Sequence, residues 1–100
     1  MDNYSVKIRP EVLVMLDVIY ENICERSIDD SVAEDVIAAI EKSILSLRSF
    51  PERGSNVTNG IYANQDYKKL VVKSHLIIYK VLPEQKQVVI VFVKPEKMNI

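Results

Sequence analysis

The hydrophobic period of this chain changes twice, and each change falls at a proline. Before Pro10, "YSVKI" alternates Tyr4, Val6 and Ile8 against Ser5 and Lys7, the period of a half-buried strand. From Pro10 onward, Val12, Leu16, Ile19 and Ile23 recur at spacings of four, three and four. That is one stripe of a helix, and Leu13, Tyr20 and Cys24 widen it. Pro10 suits the first helical turn, where its missing N–H costs nothing, and Glu11 complements the positive helix end. The spacing predicts helix one over about 10–25. "SIDDS" then supplies turn and cap residues, with Asp29 or Asp30 accepting the free N–H groups of the next helix. Ala33, Val36, Ile37, Ile40, Ile44 and Leu47 continue the helical spacing, so helix two is expected over about 30–48. "SFPERG" ends it, because Pro51 cannot extend a helix and Phe50 can tuck under the helix end. The short link between the helices implies an antiparallel hairpin.

After Pro51 the period returns to that of strands. "GSNVTNGIYANQ" is polar and rich in Asn and Gly, hence loop. The runs "YKKLVV", "HLIIYKVL" and "QVVIVFVK" are dense in β-branched residues, and "KS" and "PEQK" separate them as hairpin turns. The predicted order is β-α-α-β-β-β, an α+β fold with the helical hairpin packed on one face of a mostly antiparallel four-stranded sheet. Strict alternation puts Lys69, Val71 and Lys73 on one side of their strand and Lys68, Leu70 and Val72 on the other, more buried side. In the next strand Leu76 and Ile78 oppose Ile77 and Tyr79, so both faces are apolar. One face therefore belongs under the helices and the other under partial cover, an apolar patch rimmed by lysines that can dock a partner.

A chain of 100 residues is expected to form one domain, residues 1–100, with a single core. Cys24 is the only cysteine, which excludes an internal disulfide; with no signal peptide, it points to a reducing cytoplasm. "VVIVFV" at 88–93 is the longest apolar run, far short of the ~20 residues of a membrane helix. Asn56-Val57-Thr58 fits a glycosylation acceptor, a chance match in such a compartment. The net charge of −1 conceals an asymmetry: residues 1–50 hold five Lys/Arg and ten Asp/Glu, whereas residues 66–97 hold seven Lys and three Asp/Glu. Such a split fits partners of opposite sign, and equally two solvated faces. No metal or cofactor is expected, since one His and one Cys far apart make no ligand cluster and no glycine-rich phosphate loop occurs. The stripe position of Cys24 predicts a buried, inert thiol.

These elements, in this order, resemble the RelE/ParE superfamily, the small toxins of bacterial toxin–antitoxin and plasmid-stabilisation modules. "IRPEV" is similar to the family's strand-to-helix start, and Leu16, Ile19 and Ile23 fall on its apolar stripe. "SLRSFPERG" resembles its ending of helix two, and "YKKLVVKSHLIIYKVLPEQKQVVIVFV" its strand hairpin, so the likeness runs from about Tyr4 to Val93. Lys68 stands where an arginine is common and His75 where an aromatic is common. The chain ends in "KPEKMNI", where ribonuclease members often carry a histidine or arginine followed by a tyrosine.

The resemblance implies a toxin of a type II toxin–antitoxin module (plasmid stabilisation, an addiction module) that binds a cellular target such as DNA gyrase and is neutralised by an antitoxin. Its alternatives are a ribosome-dependent, metal-independent mRNA endonuclease and a diverged inactive protein-binding module. The missing tail favours a reading without cleavage. Under the endonuclease alternative, RNA cleavage through the 2′-OH needs a base, an acid and charge stabilisation at phosphorus. Lys69, Lys73, His75, Tyr79 and Lys94 are the residue types for those roles. His75, beside the turn, is read as accessible, where a lone histidine is ordinarily a surface residue; Tyr79 is read more readily as a core aromatic. Lys68, Lys69, Lys73, Lys80, Lys94 and Lys97 are the candidate contacts to a target or to an acidic antitoxin segment, although lysines also keep strand edges from pairing. A homodimer remains open beside these partners.

Overall fold

Each predicted element forms, with its ends moved by a residue or two. The computed structural model describes residues 3–58, 60–63 and 65–96. Strand β1 (Ser5–Ile8) leads into α1 (Pro10–Arg26) and α2 (Ser31–Ser46). Four strands follow: β2 (Ser55–Asn56), β3 (Tyr67–Val72), β4 (His75–Leu82) and β5 (Gln87–Pro95). They form one five-stranded sheet in the order β1-β5-β4-β3-β2, with β1 parallel to β5 and every other pairing antiparallel. The expected four strands become five because Ser55 and Asn56, read as loop, pair with Lys69 and Lys68. Their polar side chains carry no strand signal; the pairing comes from backbone hydrogen bonds to the edge of β3.

Local chemistry explains the helix boundaries. Pro10 opens α1, and the Val12 N–H reaches the Arg9 carbonyl at 2.9 Å. Of the two candidate caps for α2, Asp29 serves: its Oδ1 accepts the Ser31 N–H at 3.0 Å, and that bond holds the Asp29 carboxyl below its ordinary pKa. The helix ends in turns in which Leu47 and Phe50 bond back to Ile44 and Ser46. Phe50 does not tuck under; it is 63% exposed, because Leu47 already fills the core at that end.

The helices cover one face of the sheet. Val12, Leu16, Ile19, Ile40, Ile44 and Leu47 pack on Ile77, Tyr79, Val88, Ile90 and Val93. Each such side chain contributes roughly 1.5–3 kcal/mol of burial. Leu70 and Val72 join this core from β3, on the side that alternation assigns them. Leu13 does not: it lies about 100° around the helix from Val12 and is exposed.

A bulge decides which face β5 presents. Ile78 pairs with Phe92 while Tyr79 pairs with Ile90, which leaves Val91 as an extra residue. Strict alternation would put Val88, Ile90 and Phe92 on one side. The extra residue instead sends Val88, Ile90 and Val93 into the core and Phe92 to the other face. Among the described residues no helix is long and apolar enough to cross a membrane.

Candidate functional site

The face of the sheet turned away from the helices carries Tyr67, Lys69 and Val71 of β3, Leu76, Ile78 and Lys80 of β4, and Phe92 and Lys94 of β5. Cross-strand pairs Tyr67–Lys80, Lys69–Ile78 and Leu76–Lys94 set a cation beside an apolar or aromatic partner in each row. Over this face lies Tyr62, from the loop between β2 and β3. Its ring stands edge-on to Tyr67 with centroids 4.9 Å apart, and 6.2 Å from Phe92. The Lys80 ammonium sits 5.2 Å from the centre of the Tyr67 ring, an attraction of about 0.5–1 kcal/mol at a surface. The second face is thus capped at its centre by three aromatic rings, with lysines around them. No carboxylate pairs with Lys69 or Lys80 among the described residues.

The candidate residues separate into groups. Lys69, Lys80 and Lys94 share the open face, and Lys94 also lies 3.4 Å from the Pro95 carbonyl. Lys73 stands at the exposed turn between β3 and β4, with φ of 50° beside Ser74 at 62°. Lys68 is on the helix side, where its Nζ reaches Glu52 and the Asn56 amide oxygen, each at 3.1 Å. Lys97 lies outside the described residues.

His75 and Tyr79 also lie on the helix side, where Tyr79 pairs across the strands with Lys68, so neither meets Lys69, Lys80 or Lys94 on the open face. The expected exposure of His75 is corrected: it is 9% exposed, because its pairing with Val72 starts β4 and parity then places it with Ile77 and Tyr79. Its Nδ1 lies 2.8 Å from the Lys73 carbonyl, which can only accept, so Nδ1 carries the proton. Tyr79 is fully buried. Its hydroxyl donates to the Pro51 carbonyl and accepts the Gly54 N–H, both at 2.9 Å, tying the end of the helical hairpin to the sheet. Burial pushes the Tyr79 phenol up, and the bond from Gly54 opposes this only in part.

Cys24 is half-buried rather than buried, and desolvation followed by the neighbouring Asp30 pushes its thiol up, against thiolate formation. Among the described residues no cluster of His, Cys, Asp and Glu could hold a metal.

The sequence reading missed the aromatic cluster. Tyr62 was the one signal, a lone ring among polar loop residues; the outward turn of Phe92 depends on the bulge and had none. The face can attract anions through its ammonium groups and stack or pack planar and apolar groups on its rings.

The sequence matches the family described as "ParE toxin of type II toxin-antitoxin system, parDE" over residues 6–100. No curated protein matches it significantly. Among solved structures, the chromosomal ParDE toxin–antitoxin system of P. aeruginosa aligns with a TM-score of 0.75 at 15% identity, covering 95% of this chain and 98% of that one. The RelBE2 toxin–antitoxin complex of Mycobacterium tuberculosis gives 0.64 at 17% identity, covering 95% and 93%. The isolated RelE toxin of E. coli gives 0.59 at 16% identity, covering 96% and 87%. At these identities the solved structures establish the RelE/ParE-like fold, and the family match over nearly the whole sequence establishes membership. The chain belongs to the ParE toxin family of type II toxin–antitoxin systems.

Proposed function

We propose that this chain arrests growth by binding a cellular target, DNA gyrase being the first to test, and that an antitoxin neutralises it by covering the open sheet face. The observation that carries this reading is the separation of groups across the sheet. Lys69, Lys80 and Lys94 ring the aromatic cluster on one face, while His75 and Tyr79, the candidate proton carriers, are buried on the other and bonded to backbone. A cationic face whose centre is a packed cluster of Tyr62, Tyr67 and Phe92, with no imidazole beside its lysines, suits binding better than 2′-OH chemistry. An acidic antitoxin segment on the same lysines accounts for neutralisation.

The test is a supercoiling assay with purified gyrase. Inhibition by the wild-type chain, lost when Lys69, Lys80 and Lys94 are all changed to Glu, supports the reading. No inhibition at any concentration, from a folded protein that still stops growth, would overturn it.

A further inference from the structure

The outer side of the sheet buries a small core of its own, with a cavity beside it that the proposed function leaves unused. Ile78 and Val57 are buried, yet neither belongs to the core under the helices. Ile78 sits between Lys69 and Phe92 on the open face. The Val57 N–H bonds the Tyr67 carbonyl at 3.0 Å, which prolongs the β2–β3 pairing by one residue. Next to them opens a cavity of about 370 Å³ lined by Asn56, Val57, Thr58, Asp66 and Tyr67. That volume falls within the range of small-molecule sites.

The lining has one planar wall and several hydrogen-bonding groups. The wall is the Tyr67 ring, and an aromatic ring stacks any base, because every base has a π-face. The Asn56 amide oxygen accepts the Lys68 ammonium at 3.1 Å, which leaves the amide N–H groups to donate. Thr58 can donate or accept. The Asp66 carboxylate only accepts, which suits the hydroxyl groups of a sugar and repels a phosphate. Phosphate has its own place. Lys80 lies over the Tyr67 ring, and Lys69 follows Tyr67 by two residues on the same face. The two lysines are diagonal neighbours across β3 and β4, roughly 7–8 Å apart at the strands. No carboxylate pairs with either among the described residues, so a chain of two or three phosphates can meet both.

We propose that this cavity and the two lysines bind a free nucleoside polyphosphate, with the base against Tyr67, the sugar at Asp66 and the phosphates on Lys69 and Lys80. The polar side of the cavity fixes the direction, because a reversed molecule would set its phosphates against the Asp66 carboxylate. Lys69 and Lys80 also hold the target in the proposed function, so a bound nucleotide and an acidic protein segment exclude one another. That exclusion rests on the proposed function; the binding itself does not.

Titration of the full chain with ATP, followed by amide shift mapping and calorimetry, tests the site. ATP should bind saturably and shift Asn56, Thr58, Asp66, Tyr67, Lys69 and Lys80. Adenosine alone and inorganic tripolyphosphate alone should each bind roughly tenfold or more weakly than ATP. Changing Lys69→Ala together with Lys80→Ala should weaken ATP binding roughly tenfold or more and leave adenosine nearly unaffected. The pair Lys7→Ala and Lys42→Ala, at exposed lysines of β1 and α2, should bind ATP as the parent does. An unchanged melting temperature confirms that each variant is folded. Gyrase inhibition is read in its own assay, so failure to bind ATP and failure to inhibit gyrase are told apart. Tripolyphosphate binding as tightly as ATP, equal weakening by both pairs, shifts outside the cavity and its lysines, no saturable binding, or tighter binding of a single-stranded oligoadenylate would each overturn the proposal.

Discussion

The hydroxyl of Tyr79 lies 2.6 Å from the point where a Cβ on Gly54 would stand, and the Lys69 carbonyl lies 2.7 Å from the same point. Gly54 is therefore fixed by space, because its neighbours on both sides are a buried ring and a strand backbone. Gly54→Ala should destabilise the fold by roughly 1–3 kcal/mol, as an overpacked site does. Tyr79→Phe relieves the crowding but leaves the Gly54 N–H and the Pro51 carbonyl without their partner, at a cost of roughly 1–2 kcal/mol. Urea unfolding of both variants measures this. Tyr79→Phe with unchanged stability would show that the hydroxyl does not hold the hairpin end.

The turn joining β3 to β4 places two ordinary residues, Lys73 and Ser74, at positive φ. A two-residue hairpin turn of this kind favours Asn-Gly. Changing Lys73→Asn and Ser74→Gly should raise stability by about 1 kcal/mol, read as a higher urea midpoint with the same slope.

Val91 is the residue that the β5 bulge absorbs. Its deletion leaves Val88, Ile90 and Val93 in phase with the core and Phe92 facing outward, so the deleted chain should fold with a modest loss of stability. Deleting Val89 instead reverses the phase of one end of the strand and should prevent cooperative unfolding altogether. Thermal melts of the two deletions distinguish these outcomes.

Asp29 contributes through its ionised form. Its folded pKa is below the unfolded value, so this contribution is present above the unfolded pKa, near 4, and is lost as pH falls through the folded one. Asp29→Asn still accepts the Ser31 N–H, so it should retain stability at neutral pH while making the decline below about pH 4 shallower. A variant whose acid limb matches the parent's would remove Asp29 from that account.

Much of the fold was legible because it rests on periodicity. The stripes of α1 and α2, the prolines that bound them and the β-branched runs of β3 to β5 each reflect one-sided or two-sided burial, which a sequence records directly. What was not legible depends on partners distant in the chain. Nothing in Ser55-Asn56 says that β3 offers them a free edge, and nothing in "VVIVFV" says where the extra residue will sit. Leu13 and Phe50 were placed inward on hydrophobicity alone, whereas Val12 and Leu47 hold the available core space. At the candidate site, parity placed Lys69 and Lys68 on opposite faces from the sequence. The burial of His75 and the capping of the open face by Tyr62 required the tertiary structure, since one depends on where a hairpin begins and the other on how a loop folds back.

The proposed function requires the basic sheet face to bind its target without cutting RNA. The most direct measurement is a transcriptome-wide map of messenger-RNA 5′ ends in cells shortly after this chain is induced. Binding without cleavage predicts growth arrest with no new ends at ribosomal A sites, and relief of the arrest when Lys69, Lys80 and Lys94 become glutamate. New ends at codon positions within the A site, disappearing with Lys69→Ala, would contradict it.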